Sequence, residues 1–289
     1  MSSGTPVREF DPIPSLKSGL RYHFIAGLPR SGSTMLAALL NQNPRFYASG
    51  TSPAQPMFSM LYANMSGDNE LSALLDDGQR AHLLRGLIEN THAPHRGDAK
   101  VVFDTNRKWL LRVDQLSALF PLCRFIVCVR DPVRVVNSLE KARRSVTFRQ
   151  SRMFNPNLTL EQRVERMLSK DGILGTPMAV VRDALQGPHA ERMIVLDYDR
   201  LIAAPQETLS LLYKCIRESV YQHDFDNFDF SMPKFDAYLN APGLHSIKGP
   251  LRSQQDDTLI LPPHVVEKLA DRAVWRTMGR TSATMLLST

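Results

Sequence analysis

The feature that most restricts what this chain can fold into is a glycine-bounded loop between an apolar run and a helical stripe. Gly27-Leu28-Pro29-Arg30-Ser31-Gly32-Ser33-Thr34 has the spacing G-x-x-x-x-G-x-T. Ahead of it, Tyr22 to Ala26 is a short apolar run of the kind that forms a buried strand. Behind it, Ser33 to Asn41 places Met35, Leu36, Leu39 and Leu40 on one helical stripe, and Asn43-Pro44 stops the helix. A strand, a tight loop and a helix in that order present backbone N–H groups and the positive end of the helix to the same point. That arrangement is a cradle for an anion.

Three more apolar runs end at charge: Val101 to Phe103 before Asp104, Arg124 to Val129 before Arg130, and Met193 to Leu196 before Asp197. Helical patterns at about 79 to 90, 108 to 119, 132 to 145, 160 to 186 and 206 to 220 separate the strands. Alternating strands and helices predict an α/β protein, a P-loop-type three-layer fold with a central parallel sheet flanked by helices. Ligands of open parallel sheets sit at the carboxyl ends of the strands, where Gly27, Asp104 and Arg130 all fall. The domain reading is a flexible leader over 1–19, a single domain over 20–280 and a tail over 281–289. The domain carries a mainly helical insertion at about 46–100.

Composition narrows the class. With 289 residues, 43% hydrophobic and 22% charged, the chain is neither disordered nor a disulfide scaffold. Cys123, Cys128 and Cys215 form no CxxC pair, which fits a reducing, cytoplasmic setting. The first residues show no signal pattern, and Ser2 excludes myristoylation. Residues 46 to 67 are uncharged but too polar for a membrane span. Their Met57, Phe58, Met60, Leu61, Tyr62 and Met65 suit an acceptor wall or an interface, though at helical spacing such residues more often pack a core, and a homodimer is a separate expectation tied to no residue. The net charge of +6 is concentrated. Between Arg130 and Arg152 stand Arg130, Arg134, Lys141, Arg143, Arg144, Arg149 and Arg152 against only Asp131 and Glu140. Such a segment attracts a multiply charged anion.

The loop lacks the lysine of a nucleotide-triphosphate site, because Ser33 stands in its place. Arg30 inside the loop supplies charge instead, as a planar fork suited to an oxyanion. A second anion site follows the strand ending at Val129. Asp131 is a good helix N-cap, Pro132 suits the first turn, and Arg130 sits beside the helix start. Arg134, Ser138 and Lys141 then share one helix face, where the two cations more often belong to a solvated surface, so Arg130 and Ser138 are the anion-site candidates.

Taken together, Gly27 to Thr34, Val129-Arg130-Asp131-Pro132 and Ser138 resemble the sulfotransferases that use PAPS, 3'-phosphoadenosine 5'-phosphosulfate. The likeness is to bacterial members and to the tyrosylprotein branch, with their P-R-S-G-[TS]-T loop and V-R-D-x-x-x-x-x-x-S motif. It implies that Arg30, Ser31, Gly32, Ser33 and Thr34 hold the 5'-phosphosulfate and that Arg130 and Ser138 hold the 3'-phosphate. Leu196 to Leu201 is similar to the family's Y-E-x-L segment, which implies a nucleotide contact for Tyr198. Gly243 to Gly249 looks like the family's late lid, which implies that Ser246 and Lys248 approach the bridging phosphosulfate. The resemblance covers about residues 22 to 265 and implies in-line, metal-independent transfer of a sulfuryl group to a hydroxyl or amine, leaving PAP.

The chain departs from that pattern at the catalytic groups. Ser49-Gly50-Thr51-Ser52-Pro53 replaces the tyrosylprotein C-G-E-E segment, and Arg107 or Lys108 stands in for the family's strand-end lysine. Asp104 is the acid at the carboxyl end of the next strand and is expected to be the general base, with a helix cap or a pairing to Arg107 as the alternative. His245 is the second choice for the base. No metal is expected: His92 and His95 read as a surface loop, and Asp224 to Phe230 reads as packing rather than a calcium loop. The acceptor is open among small molecules, glycans, lipids and peptides. Two other functions compete, a P-loop kinase with Asp104 on magnesium and a nucleic-acid binder using Arg130 to Arg152. Ser33 argues against the first, and the lone aromatic of that segment, Phe148, against the second.

Overall fold

A computed structural model describes residues 19–145, 157–251 and 258–288. Arg149, Arg152, Phe148 and residues 1–18 of the expected leader lie outside them. In chain order the elements are β1 (Arg21–Gly27), α1 (Ser33–Leu40), β2 (Phe46–Ala48), α2 (Ala54–Ser66), α3 (Glu70–Ala73), α4 (Asp77–His92) and β3 (Val101–Thr105). A 3-10 turn at Arg107–Arg112 leads into α5 (Val113–Leu119), β4 (Phe125–Val129), α6 (Pro132–Arg144), α7 (Leu160–Leu168), α8 (Gly175–Gln186) and β5 (Met193–Asp197). Then come α9 (Tyr198–Ala203), α10 (Pro205–Cys215), β6 (Asp229–Phe230), α11 (Pro233–Tyr238), β7 (Ile247–Lys248), α12 (Pro263–Ala270), α13 (Val274–Thr277) and β8 (Thr284–Leu286).

The central sheet has six strands in the order β2-β3-β1-β4-β5-β8, every neighbour parallel. Alternation along each strand feeds two cores. Tyr22, Phe24 and Ala26 of β1, Phe125, Val127 and Val129 of β4, and Met193 and Val195 of β5 face a core shared with α2, α4, α6 and α8. Ile25, Ile126, Cys128, Ile194 and Leu196 face the other core, with Met35, Leu36 and Leu39 of α1 and Leu209, Leu212 and Tyr213 of α10. A sheet covered on both faces is what near-continuous apolar runs produce. Each fully buried Phe, Leu or Ile contributes about 1.5–3 kcal/mol. This is the three-layer α/β fold that the sequence predicts.

Two strands escape the sequence pattern. β2 has only three residues, and it lies within the stretch read as an insertion. Its end is held by a side chain: Asn41 Nδ2 donates to the Ala48 carbonyl at 2.8 Å, and the Ala48 N–H donates back to Asn41 Oδ1 at 2.7 Å. β8 lies in the stretch expected to be a tail. It pairs with β5, while Ser288 Oγ and Arg276 both donate to the buried Asp197 at 3.0 and 2.9 Å. The expected helix over 160 to 186 is two helices, α7 and α8.

Candidate active site

The carboxyl ends of β1, β3, β4 and β5 carry the loop after Gly27, Arg107, Arg130 and Tyr198. Backbone demands place the loop first. Gly27 has φ +117°, and a Cβ there would lie 2.1 Å from the Cys128 carbonyl oxygen, so only glycine lets β1 leave the sheet against β4. Gly32 has φ +87°, and its added Cβ would meet the Tyr198 ring at 2.6 Å. Gly32 is the N-cap of α1 and brings no side chain to it, so no capping side chain occupies the first-turn N–H groups, which suits an anion. Arg30, at φ +57°, adopts a left-handed conformation that costs a non-glycine residue roughly 1–2 kcal/mol.

That conformation lets Arg30 join three segments. Its Nε donates to Ser138 Oγ of α6 at 3.1 Å, and its Nη1 donates to the Leu244 carbonyl at 2.7 Å. Its own carbonyl accepts from Arg130 Nη1 at 3.2 Å. The loop, the Arg130 to Ser138 motif and the late segment therefore meet on one side chain. Arg130 is buried, and its guanidinium lies 4.1 Å above the Tyr198 ring. Burial, together with the neighbouring Arg130 charge, pushes Arg30 below the usual arginine range. Two arginines from different strand ends, joined through the Arg30 carbonyl, suit an anionic ligand. Asp131 caps α6 by accepting from the Val133 N–H at 2.7 Å, which fixes Arg130 at the helix start.

The remaining expected residues take different positions. Ser31 is fully buried and its hydroxyl donates to the Leu28 carbonyl at 2.6 Å, so it offers an incoming anion only its backbone. Ser33 and Thr34 stay partly accessible at the start of α1. Tyr198 is buried, wedged between Gly32 and Arg130, and buttresses the cradle. Ser246 is exposed, with its N–H donating to the Gly243 carbonyl at 3.2 Å. Lys248 on β7 is exposed and lies 3.5 Å from Asp229. Arg107 is exposed at the start of the turn after β3, and the part of its guanidinium that the protein shields lowers its pKa.

The general-base expectation for Asp104 gives way. Its carboxylate is 0% exposed and faces His92 Nε2 at 2.6 Å, Ser52 Oγ at 2.8 Å and Trp109 Nε1 at 2.7 Å. A carboxylate so enclosed ties the insertion to β3 and cannot meet an acceptor. His92, read as part of a surface loop, is correspondingly buried at the end of α4.

His245 is better placed. Its Nδ1 lies 2.6 Å from Asp236 Oδ1, and its ring stands 5.2 Å from that of Phe235. Burial acts most strongly on it, Asp236 opposes, and Arg30 and Arg107 add to burial, so its pKa falls below the ordinary histidine value. That shift favours the neutral imidazole. Asp236 had no sequence signal: its partner is nine positions away, across the end of α11, in a segment without periodicity. Among the described residues no cluster of His, Cys, Asp and Glu is suited to a metal, and no helix is long and apolar enough to cross a membrane.

A sulfotransferase family model matches residues 23–221. It does not single out the tyrosylprotein branch. Among solved structures, the chain is similar to a sulfotransferase from Alicyclobacillus acidocaldarius, at 13% identity over 77% of this chain and 90% of that one, with a TM-score of 0.49. It is also similar to the sulfotransferase domain of the Synechococcus PCC 7002 olefin synthase, at 18% identity over 94% of this chain and 93% of that one, with a TM-score of 0.45. A third is the sulfotransferase domain from the curacin biosynthetic pathway, at 15% identity over 86% and 97%, with a TM-score of 0.46. No curated protein matches the chain.

Proposed function

This chain belongs to the sulfotransferase family, and from that premise we propose that it moves the sulfuryl group of PAPS to an acceptor hydroxyl or amine, with His245 as the general base. The observation that carries the donor site is Arg30, joined to both Ser138 and the Leu244 carbonyl beside the uncapped start of α1. The loop N–H groups and Arg30 suit the 5'-phosphosulfate end of the donor. Arg130 and Ser138 suit the 3'-phosphate, with Tyr198 bordering the nucleotide and keeping Arg130 flat. Lys248 would have to swing from Asp229 to join them.

The donor supplies the sulfuryl group and a phosphate leaving group. His245 Nε2 takes the proton of the acceptor as its oxygen or nitrogen bonds to sulfur and the bond from sulfur to the bridging oxygen breaks. Arg30 and Arg107 offset the charge that gathers on the departing oxygen. The work of the site is positioning and charge, with no further covalent step. The uncharged α2, which presents Met57 and Met60 outward, is our choice for a wall against the acceptor. Free cysteines support a reducing compartment, and we place the protein in the cytoplasm.

Calorimetric titration with PAP in EDTA, beside ATP with magnesium, tests this reading. PAP is expected to bind without metal, and Arg130→Ala is expected to weaken it about thirtyfold, on the order of 2 kcal/mol for a lost charge-assisted contact. Binding of magnesium ATP with no binding of PAP overturns the reading in favour of a kinase.

A further inference from the structure

The late segment holds a carboxylate and an imidazole in a relation that the transfer reaction can use. Asp236, 2% exposed on α11, accepts from the backbone N–H of His245 at 3.0 and 3.2 Å, and its Oδ1 lies 2.6 Å from the His245 Nδ1. The backbone bond alone would hold the loop to the helix. The second bond fixes the ring, because an Nδ1 proton shared with a carboxylate leaves Nε2 as the proton-accepting atom.

We propose that Asp236 is the positioning residue of this site, locking His245 in the Nδ1–H tautomer and orienting it so that Nε2 is the atom that takes the acceptor's proton. The inference rests on the proposed role of His245 and adds to it a residue that does not itself touch the substrate. Among the described residues, the charged groups that act on the imidazole are consistent with it: Asp236 from α11, Arg30 from the phosphate loop and Arg107 from the turn after β3. The arginines disfavour a resting imidazolium, and Asp236 steadies the one that forms when the proton arrives. Phe235 limits the tilt of the ring from the same helix as Asp236. Arg30 grips Leu244, the residue next to His245, so a donor seated on Arg30 shares its anchor with the base.

Nitrogen-15 NMR of the His245 ring in the wild-type protein is the direct test, since it needs neither an acceptor nor a variant. A neutral imidazole protonated on Nδ1 is expected, and protonation on Nε2 overturns the proposal. In Asp236→Asn the tautomers are expected to mix, with PAP affinity within about twofold of wild type. Turnover of PAPS with water as acceptor is expected to fall about 10²- to 10⁴-fold, the range for loss of an effective general base. Asp236→Glu is expected to recover part of that turnover. Turnover in Asp236→Asn within a few-fold of wild type also overturns the proposal. Failure of the wild-type protein to bind PAP would overturn the sulfotransferase site itself, an outcome separate from the tautomer result.

Discussion

Two carboxylate and imidazole pairs in this protein close to the same 2.6 Å, and their surroundings give them opposite work. In the Asp104 and His92 pair both side chains are almost without exposure, and Ser52 and Trp109 complete the shell. In the Asp236 and His245 pair the carboxylate is equally hidden, but the His245 side chain keeps 20% of its surface and faces Arg30 and Arg107. The first pair joins the end of α4 to β3. The second joins α11 to a segment held by the phosphate loop. A hydrogen-bonded pair sealed on every side is a fastener, while one whose ring keeps solvent access and cationic neighbours is equipped for proton transfer.

The strongest way to break the comparison is Asp104→Ala. It leaves the Trp109 indole N–H, the Ser52 hydroxyl and His92 buried without their acceptor, and about 3–5 kcal/mol of stability should be lost. Urea unfolding checks it; a variant as stable as wild type would show that the two pairs do not differ as described. His245→Gln should do the reverse. About a hundredfold or more of PAPS turnover should disappear, while unfolding shifts by only about 1 kcal/mol. Single-turnover rates set beside urea curves separate the two effects.

A pH profile sharpens the contrast further. The base must be neutral, and burial with two guanidiniums holds the His245 pKa below its ordinary value of about 6.5. Turnover should therefore be flat through neutrality and fall only as pH drops through that lowered value. In Asp236→Asn the residual activity should keep its acid limb at still lower pH, since the partner that raises the pKa is gone. A limb above about 6.5 would contradict the environment described. The smallest effect is expected at Lys248, exposed on β7: Lys248→Ala should change stability by less than about 0.5 kcal/mol. Any loss of PAP affinity in that variant would mean that the lysine swings to the donor.

The sequence made much of the glycine loop and its surroundings legible, because their signals are local. The glycine spacing, the apolar run before it and the Asp131-Pro132 helix start are each written within a few residues, where φ preferences and capping act. The surroundings of Asp104 and His245 were poorly legible. Asp104 looked like a base because it ends a strand among charged neighbours, yet Ser52 and His92, which enclose it, arrive from another part of the chain. Asp236 carried no pattern at all. β2 and β8 were missed because edge strands of three residues show no periodicity and depend on neighbours for their hydrogen bonds.

The amino-acid sequence by itself determined the α/β order, the phosphate-type loop and the placing of cations at strand ends, since all of these follow from short-range sterics and from the alternation of apolar residues. Only the tertiary structure decided which histidine would be sealed and which would keep part of its ring exposed. That distinction depends on which distant side chains complete each shell, and the free energy of a buried polar group is set by its partners rather than by its neighbours in the chain.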